Sequence, residues 1–136
     1  EASAQILRVR SPVVENDIAV ATDRMEVLLD RIETVSRAID PGIENTGVAH
    51  LGDGNLHYVG WPSRDDPALC RAIQQAVEAE VIALGGSFSA EHGIGLSKRA
   101  AMAAHKDPVA LATMRAIKAA LDPNGILNPG KVLPDP

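Results

Sequence analysis

Two short segments concentrate the residues able to do chemistry: His50-Leu51-Gly52-Asp53-Gly54-Asn55-Leu56-His57 and Ser89-Ala90-Glu91-His92-Gly93-Ile94-Gly95. Together they hold three of the chain's four histidines. His50 and His57 flank Asp53-Gly54-Asn55, a turn sequence because Gly and Asn tolerate positive φ. On the two arms of a hairpin their imidazoles can converge, and Glu91 can arrive from a third strand. Two imidazoles and a carboxylate form a common catalytic zinc set that leaves positions open for substrate or water. The same N and O donors accept manganese, iron or cobalt. The spacing fits equally plain surface or hydrogen-bonded histidines beside turns, and His-x6-His alone is a weak pattern. His92 follows Glu91, and neighbours on a strand point to opposite faces. At a strand end before glycine that rule relaxes, and His92 then suits a general base working near neutral pH. Its bland alternative is a structural histidine donating to a backbone carbonyl.

Other chemistries lack their residues. Gly52-Asp53-Gly54 does not follow the G-x-G-x-x-G spacing of a dinucleotide loop, and there is no Walker A lysine and no G-x-S-x-G elbow. Gly93-Ile94-Gly95 before a helix can offer N–H groups to an anion or simply enter the helix. Lys98-Arg99 reads as a wet helix face or an anion contact, and Cys70 as a structural thiol on an amphipathic helix. A net charge of −5 excludes nonspecific nucleic-acid binding, and a single Trp, Tyr and Phe supply no base-stacking platform. No apolar run is long enough to span a bilayer. The lone cysteine suits a reducing compartment, so the expected location is cytoplasmic, extending to a peripheral one at the inner membrane. Glu1-Ala2-Ser3-Ala4-Gln5 opens without Met and without a leader's basic and apolar stretches, so a start partway through a longer protein is expected.

At 136 residues the chain suffices for one domain with a usable core. Ile6 to Arg10 alternates weakly, as a strand does. Glu15-Asn16-Asp17, between Val13-Val14 and Ile18-Ala19-Val20, is a polar turn or the middle of an extended segment. Thr22 is the expected N-cap of a helix whose Met25, Leu28, Ile32, Val35 and Ile39 share one face, stopped by Asp40-Pro41-Gly42. Thr46 to Gly52 and Leu56 to Trp61 read as paired strands. Asp66-Pro67 opens a second helix with Leu69, Ile73, Val77 and Val81 inward, ended by Gly85-Gly86. Ser87 to Ala90 reads as a short strand carrying Glu91-His92. Helices follow over Leu96 to Ala104 and from Asp107-Pro108, the latter with Leu111, Met114, Ile117 and Leu121 on one face. This order predicts an α+β domain: a mostly antiparallel sheet with helices on one face and extra C-terminal helices.

Four co-linear motifs carry a resemblance: H-L-G-D-G-N-L-H over His50 to His57, S-A-E-H-G-I-G over Ser89 to Gly95, Lys98-Arg99, and I-L-N-P-G-K over Ile126 to Lys131. With Asp17-Ile18-Ala19-Val20 before the first helix, they resemble the C-terminal domain of FAD-linked oxidases. These belong to the vanillyl-alcohol-oxidase-like superfamily, in the branch of D-lactate, glycolate and D-2-hydroxyglutarate dehydrogenases. The resemblance spans nearly all of residues 1–136. It implies a ferredoxin-like substrate or cap domain, with FAD held mainly by an N-terminal domain absent from this chain. It implies His50, His57 and Glu91 as metal ligands (zinc foremost), His92 as the base, and Asn128 as a residue near the isoalloxazine. The implied reaction acidifies the hydroxyl of a small 2-hydroxy acid on the metal. His92 takes the proton, and the Cα hydride passes to flavin N5. The implied partners are the flavin domain, an electron acceptor the sequence does not name, and a second copy if the cut domain self-associates.

Three positions depart from the pattern. Val59 stands where many members have Asn, and Ala21 where relatives read Pro. Glu15 lies near a Lys of relatives that bind a second carboxylate, which disfavours 2-hydroxyglutarate. Two other functions compete: a stand-alone His/His/Glu metallohydrolase, which leaves the N-P-G-K tail without a role, and a non-catalytic interaction module that retains the fold.

Overall fold

The computed structural model describes residues 11–135. The strand expected over Ile6 to Arg10 lies outside the described residues. The chain divides into two compact units, Glu1–Glu91 and His92–Pro136.

The first unit is a three-stranded antiparallel sheet with two helices. Strand β1 is Val14–Ala19, β2 is Glu44–His50 and β3 is Asn55–Trp61, in the order β1-β3-β2. Glu15-Asn16-Asp17 is therefore mid-strand, not a turn. Helix α1 (Met25–Ile39) links β1 to β2, and α2 (Pro67–Ala83) follows β3. Parity along the strands sorts the sheet into two faces. Ile18, Leu56 and Ala49 are cross-strand neighbours on one face. They pack with Met25, Leu28 and Ile32 of α1 and Val77 and Val81 of α2 into the main core. Val14, Ile43, Leu69 and Ile73 extend it at the other end, with Cys70 packed at its edge as a structural thiol. Each of these fully buried aliphatics stabilises the fold by roughly 1.5–3 kcal/mol. The expected α+β class, antiparallel sheet and helices on one face are all present.

Several boundaries differ for physical reasons. Thr22 does not cap α1; Thr22–Arg24 is a 3-10 turn closed by the Arg24 N–H on the Ala21 carbonyl, and α1 starts at Met25. Ser36, not Val35, completes the buried face of α1, its hydroxyl 3.2 Å from the Tyr58 hydroxyl. Strand β2 stops at His50 because Leu51–Asp53 winds into a 3-10 turn. Asp66 caps α2 as expected, its carboxylate accepting the Ala68 N–H at 2.8 Å. Ser87 to Ala90 is not a strand. Only Ser87 bridges, to Ala19, after which the Ser87 hydroxyl bonds Ser89 N–H and O and curls the chain away.

The second unit holds α3 (Arg99–His105) and α4 (Pro108–Leu121). Leu96 to Lys98 is turn, so α3 begins later than the sequence predicts. Asp107 caps α4 through the Ala110 N–H at 2.8 Å. The apolar stripe of α4 is buried at Leu111, whereas Ile117 and Leu121 are exposed. The Arg99 guanidinium bonds the Leu133 carbonyl at 3.2 Å and the Asp135 carboxylate at 2.9 Å, holding the tail.

Candidate metal centre

The sheet face opposite the helices carries the chemistry. His57 lies between Asp17 of β1 and Val48 of β2, and His50 pairs with Asn55. Side-chain parity therefore sets Glu15, Asp17, His50, Asn55, His57 and Val59 on this one face.

Two glycines clamp the end of β1. Gly54 has φ +66°, closes the hairpin turn, and accepts the Val20 N–H at 2.9 Å. A Cβ on Gly54 would stand 1.9 Å from the Val20 carbonyl oxygen. Gly86 comes equally close, with a Cβ there 2.3 Å from the Ala19 oxygen. Asp17 then reaches the segment after Ser87. Its backbone carbonyl accepts the Ala90 N–H at 3.1 Å. Its carboxylate accepts N–H groups from Ala90 and Glu91, each at 3.1 Å to Oδ2. This delivers the Glu91 side chain onto the sheet face without a fourth strand.

The imidazole of His57 faces a carboxylate on each side. Its Nδ1 is 3.7 Å from Asp17 Oδ1, and its Nε2 is 3.2 Å from Glu91 Oε1. One ligand atom from each of Asp17, His57 and Glu91 lies within 4.8 Å of the others, a spacing a single cation can span. His50 meets His57 edge to face, with ring centroids 5.3 Å apart and planes at 89°. Exposure is graded across the group: Asp17 is buried, the His57 side chain is 20% exposed and Glu91 51%. The protein side is thus closed while a ligand side stays open.

The structure brings His57 and Glu91 together, both foreseen as metal ligands, while His50, the third, meets the His57 ring edge to face and stands outside that group of donor atoms. It adds Asp17, which the sequence reading placed only in a family-like stretch. The available signal was strand parity: with Val14 and Ile18 turned to the core, Asp17 at the intervening odd position must face the other side of the sheet. His92 is exposed and is the next residue after Glu91, opening the second unit. Asn128 is exposed in the tail, with φ 45° and its carbonyl accepting the Lys131 N–H at 3.3 Å. Asp122 orders that tail by accepting N–H groups from Ile126 at 3.0 Å and Leu127 at 2.9 Å. Val59, the departure noted above, is buried on the site face two residues beyond His57.

A three-stranded antiparallel sheet with helices on one face and an N/O donor cluster on the other makes this an α+β domain with a candidate cation site. Residues 1–132 match the sequence model of FAD linked oxidases, C-terminal domain, and the chain belongs to that family. It is 36% identical over 123 residues to the D-2-hydroxyglutarate dehydrogenase of Stutzerimonas stutzeri, covering 87% of this chain and 26% of that protein. The mitochondrial D-2-hydroxyglutarate dehydrogenase of Bos taurus is 38% identical over 123 residues, 90% of this chain and 22% of that protein. A probable mitochondrial D-lactate dehydrogenase of Danio rerio is 31% identical over 134 residues, 96% of this chain and 27% of that protein. The chain thus spans about a quarter of the length of these relatives. Among the described residues no helix is long and apolar enough to cross a membrane.

Proposed function

We propose that this chain is the substrate- and metal-binding domain of an FAD-dependent 2-hydroxyacid dehydrogenase. The observation that carries the reading is the His57 imidazole, with Nε2 3.2 Å from Glu91 Oε1 and the His50 ring against it. This donor set suits a divalent cation, zinc foremost, with manganese, iron or cobalt as alternatives. His50, His57 and Glu91 are the residues that would hold it. When bound, the cation supplies a Lewis acid that lowers the pKa of a substrate hydroxyl, and FAD supplies the hydride acceptor.

The chain's own residues do the rest. His50, His57 and Glu91 orient the 2-hydroxy acid. His92, adjacent to Glu91, takes the hydroxyl proton. Asn128 contacts the flavin from the N-P-G-K tail. The flavin itself belongs to an N-terminal domain outside this chain, and the electron acceptor is a separate partner. The exposed Leu121, Ile126 and Leu127 support a covering surface of that kind. The homology to dehydrogenases named for D-2-hydroxyglutarate and D-lactate supports the 2-hydroxy acid class. A location in the cytoplasm fits the lone Cys70.

The experiment uses the full-length protein without a histidine tag. Stoichiometric zinc or manganese is expected, lost in His57→Ala, together with anaerobic bleaching of the flavin by D-lactate, glycolate or D-2-hydroxyglutarate. Bleaching by none of the three would sink the dehydrogenase reading. Hydrolysis of esters or amides by the metal-loaded protein would instead favour a His/His/Glu metallohydrolase.

A further inference from the structure

We propose that Asp17 is the positioning residue of this site, a buried carboxylate that aims His57 and seats Glu91 so that both face one point. The inference deepens the metal-site reading above and rests on it.

Asp17 is 5% exposed, yet it carries a charge. A charge so buried is tolerated only among matched donors. Its donors include the Ala90 and Glu91 N–H groups on Oδ2, and His57 Nδ1 faces Oδ1 at 3.7 Å as an ion-pair partner. A carboxylate only accepts hydrogen bonds. With a cation between Nε2 and Glu91, the Asp17 carboxylate facing Nδ1 favours the proton there and leaves the Nε2 lone pair for the cation. A partner on the far nitrogen is how ligating histidines are commonly oriented. One side chain thus couples two elements distant in sequence. It sets the rotation of an imidazole on β3, and it fixes the backbone from which Glu91 projects. An asparagine at this position would keep the shape but lose the charge, and could set an NH2 group against the Nδ1 proton. The competing role is that of a purely structural anchor for the curled segment after Ser87.

The test uses full-length metal-free protein, with Zn2+ titrated against a competing chelator. Asp17→Asn is expected to unfold as cooperatively as wild type but to bind Zn2+ roughly 10–100-fold more weakly. Asp17→Ala should lose at least as much affinity and also expose the Ala90 and Glu91 amides to hydrogen exchange. In the Zn2+-loaded wild type, 15N-histidine NMR should report His57 with its proton on Nδ1 and its Nε2 on the metal. Zn2+ affinity of Asp17→Asn indistinguishable from wild type would overturn the proposal and leave Asp17 a structural anchor. If wild type binds Zn2+ no better than His57→Ala, the metal reading fails by itself. The NOE between the His50 and His57 rings, 5.3 Å apart, then decides the role of Asp17: its loss in Asp17→Asn retains the role and its persistence overturns it.

Discussion

Glu15 occupies the same face of β1 as Asp17 and is exposed. One strand repeat separates the two, about 7 Å along the chain. A substrate held at His57 and Glu91 by its 2-hydroxy acid group would meet this acidic side chain with any second carboxylate. We therefore expect the full-length enzyme to prefer D-lactate or glycolate over D-2-hydroxyglutarate. Glu15→Lys should lower the KM for D-2-hydroxyglutarate roughly tenfold, the scale of reversing one partly screened charge. A wild-type enzyme that strongly prefers the dicarboxylate would show the argument wrong. His57 and Glu91 were legible as chemistry because their residue types and glycine-rich surroundings stand out locally. Asp17 was not, because its role depends on which strand lies beside β3, and strand pairing is not written in the residues flanking it.

The hairpin and the β1 end act as one element. Gly54 makes that possible, since its φ of +66° disfavours a side chain and its Cβ would lie 1.9 Å from the Val20 oxygen. Gly54→Ala should cost about 3 kcal/mol or more, combining left-handed strain with a backbone clash. Gly52, two residues earlier in the same motif, has open space around its Cβ position. Gly52→Ala should stay within about 0.5 kcal/mol of wild type. Urea unfolding of the pair checks this directly, and equal midpoints would sink it. The sequence marked both glycines as turn residues; only the approach of β1 separates the required one from the permissive one. The segment after Gly86 teaches the same lesson. A short strand was expected over Ser87 to Ala90, but the Ser87 hydroxyl takes over the local backbone donors and acceptors after a single bridge.

For the molecule as a whole, two buried carboxylates set the response to acid, Asp40 by tying Ser63 to the end of α1 and Asp122 by ordering the turn after α4. Burial pushes the Asp40 carboxyl up, but hydrogen bonds from Ser63 N–H, Ser63 hydroxyl and Gly42 N–H outweigh it and hold it below its ordinary value. The Lys118 ammonium beside Asp122, with the Leu127 and Ile126 N–H groups, lowers that carboxyl despite its desolvation. A carboxyl whose folded pKa is lowered stabilises the fold fully above its unfolded pKa, about 3.9. That stability is lost as the pH falls through the lower folded value. The melting temperature should therefore drop as the pH falls below about 4. Asp40→Asn should show a shallower drop, and an unchanged slope would remove Asp40 from the account.

The sequence by itself determined the helices, the hairpin, the α+β class and the histidine-rich motifs, because each depends on short-range periodicity, capping or turn chemistry. Asp66-Pro67 and Asp107-Pro108 capped their helices as read, and the His50 and His57 rings meet edge to face across their turn. Only the tertiary structure decided that β3 is the central strand and that β1, not a fourth strand, completes the site. It also decided that the Ile117 and Leu121 stripe of α4 stays exposed. The reason is physical: strand order and face-to-face burial depend on the whole chain's competition for apolar surface, whereas caps and turns are settled within a few residues.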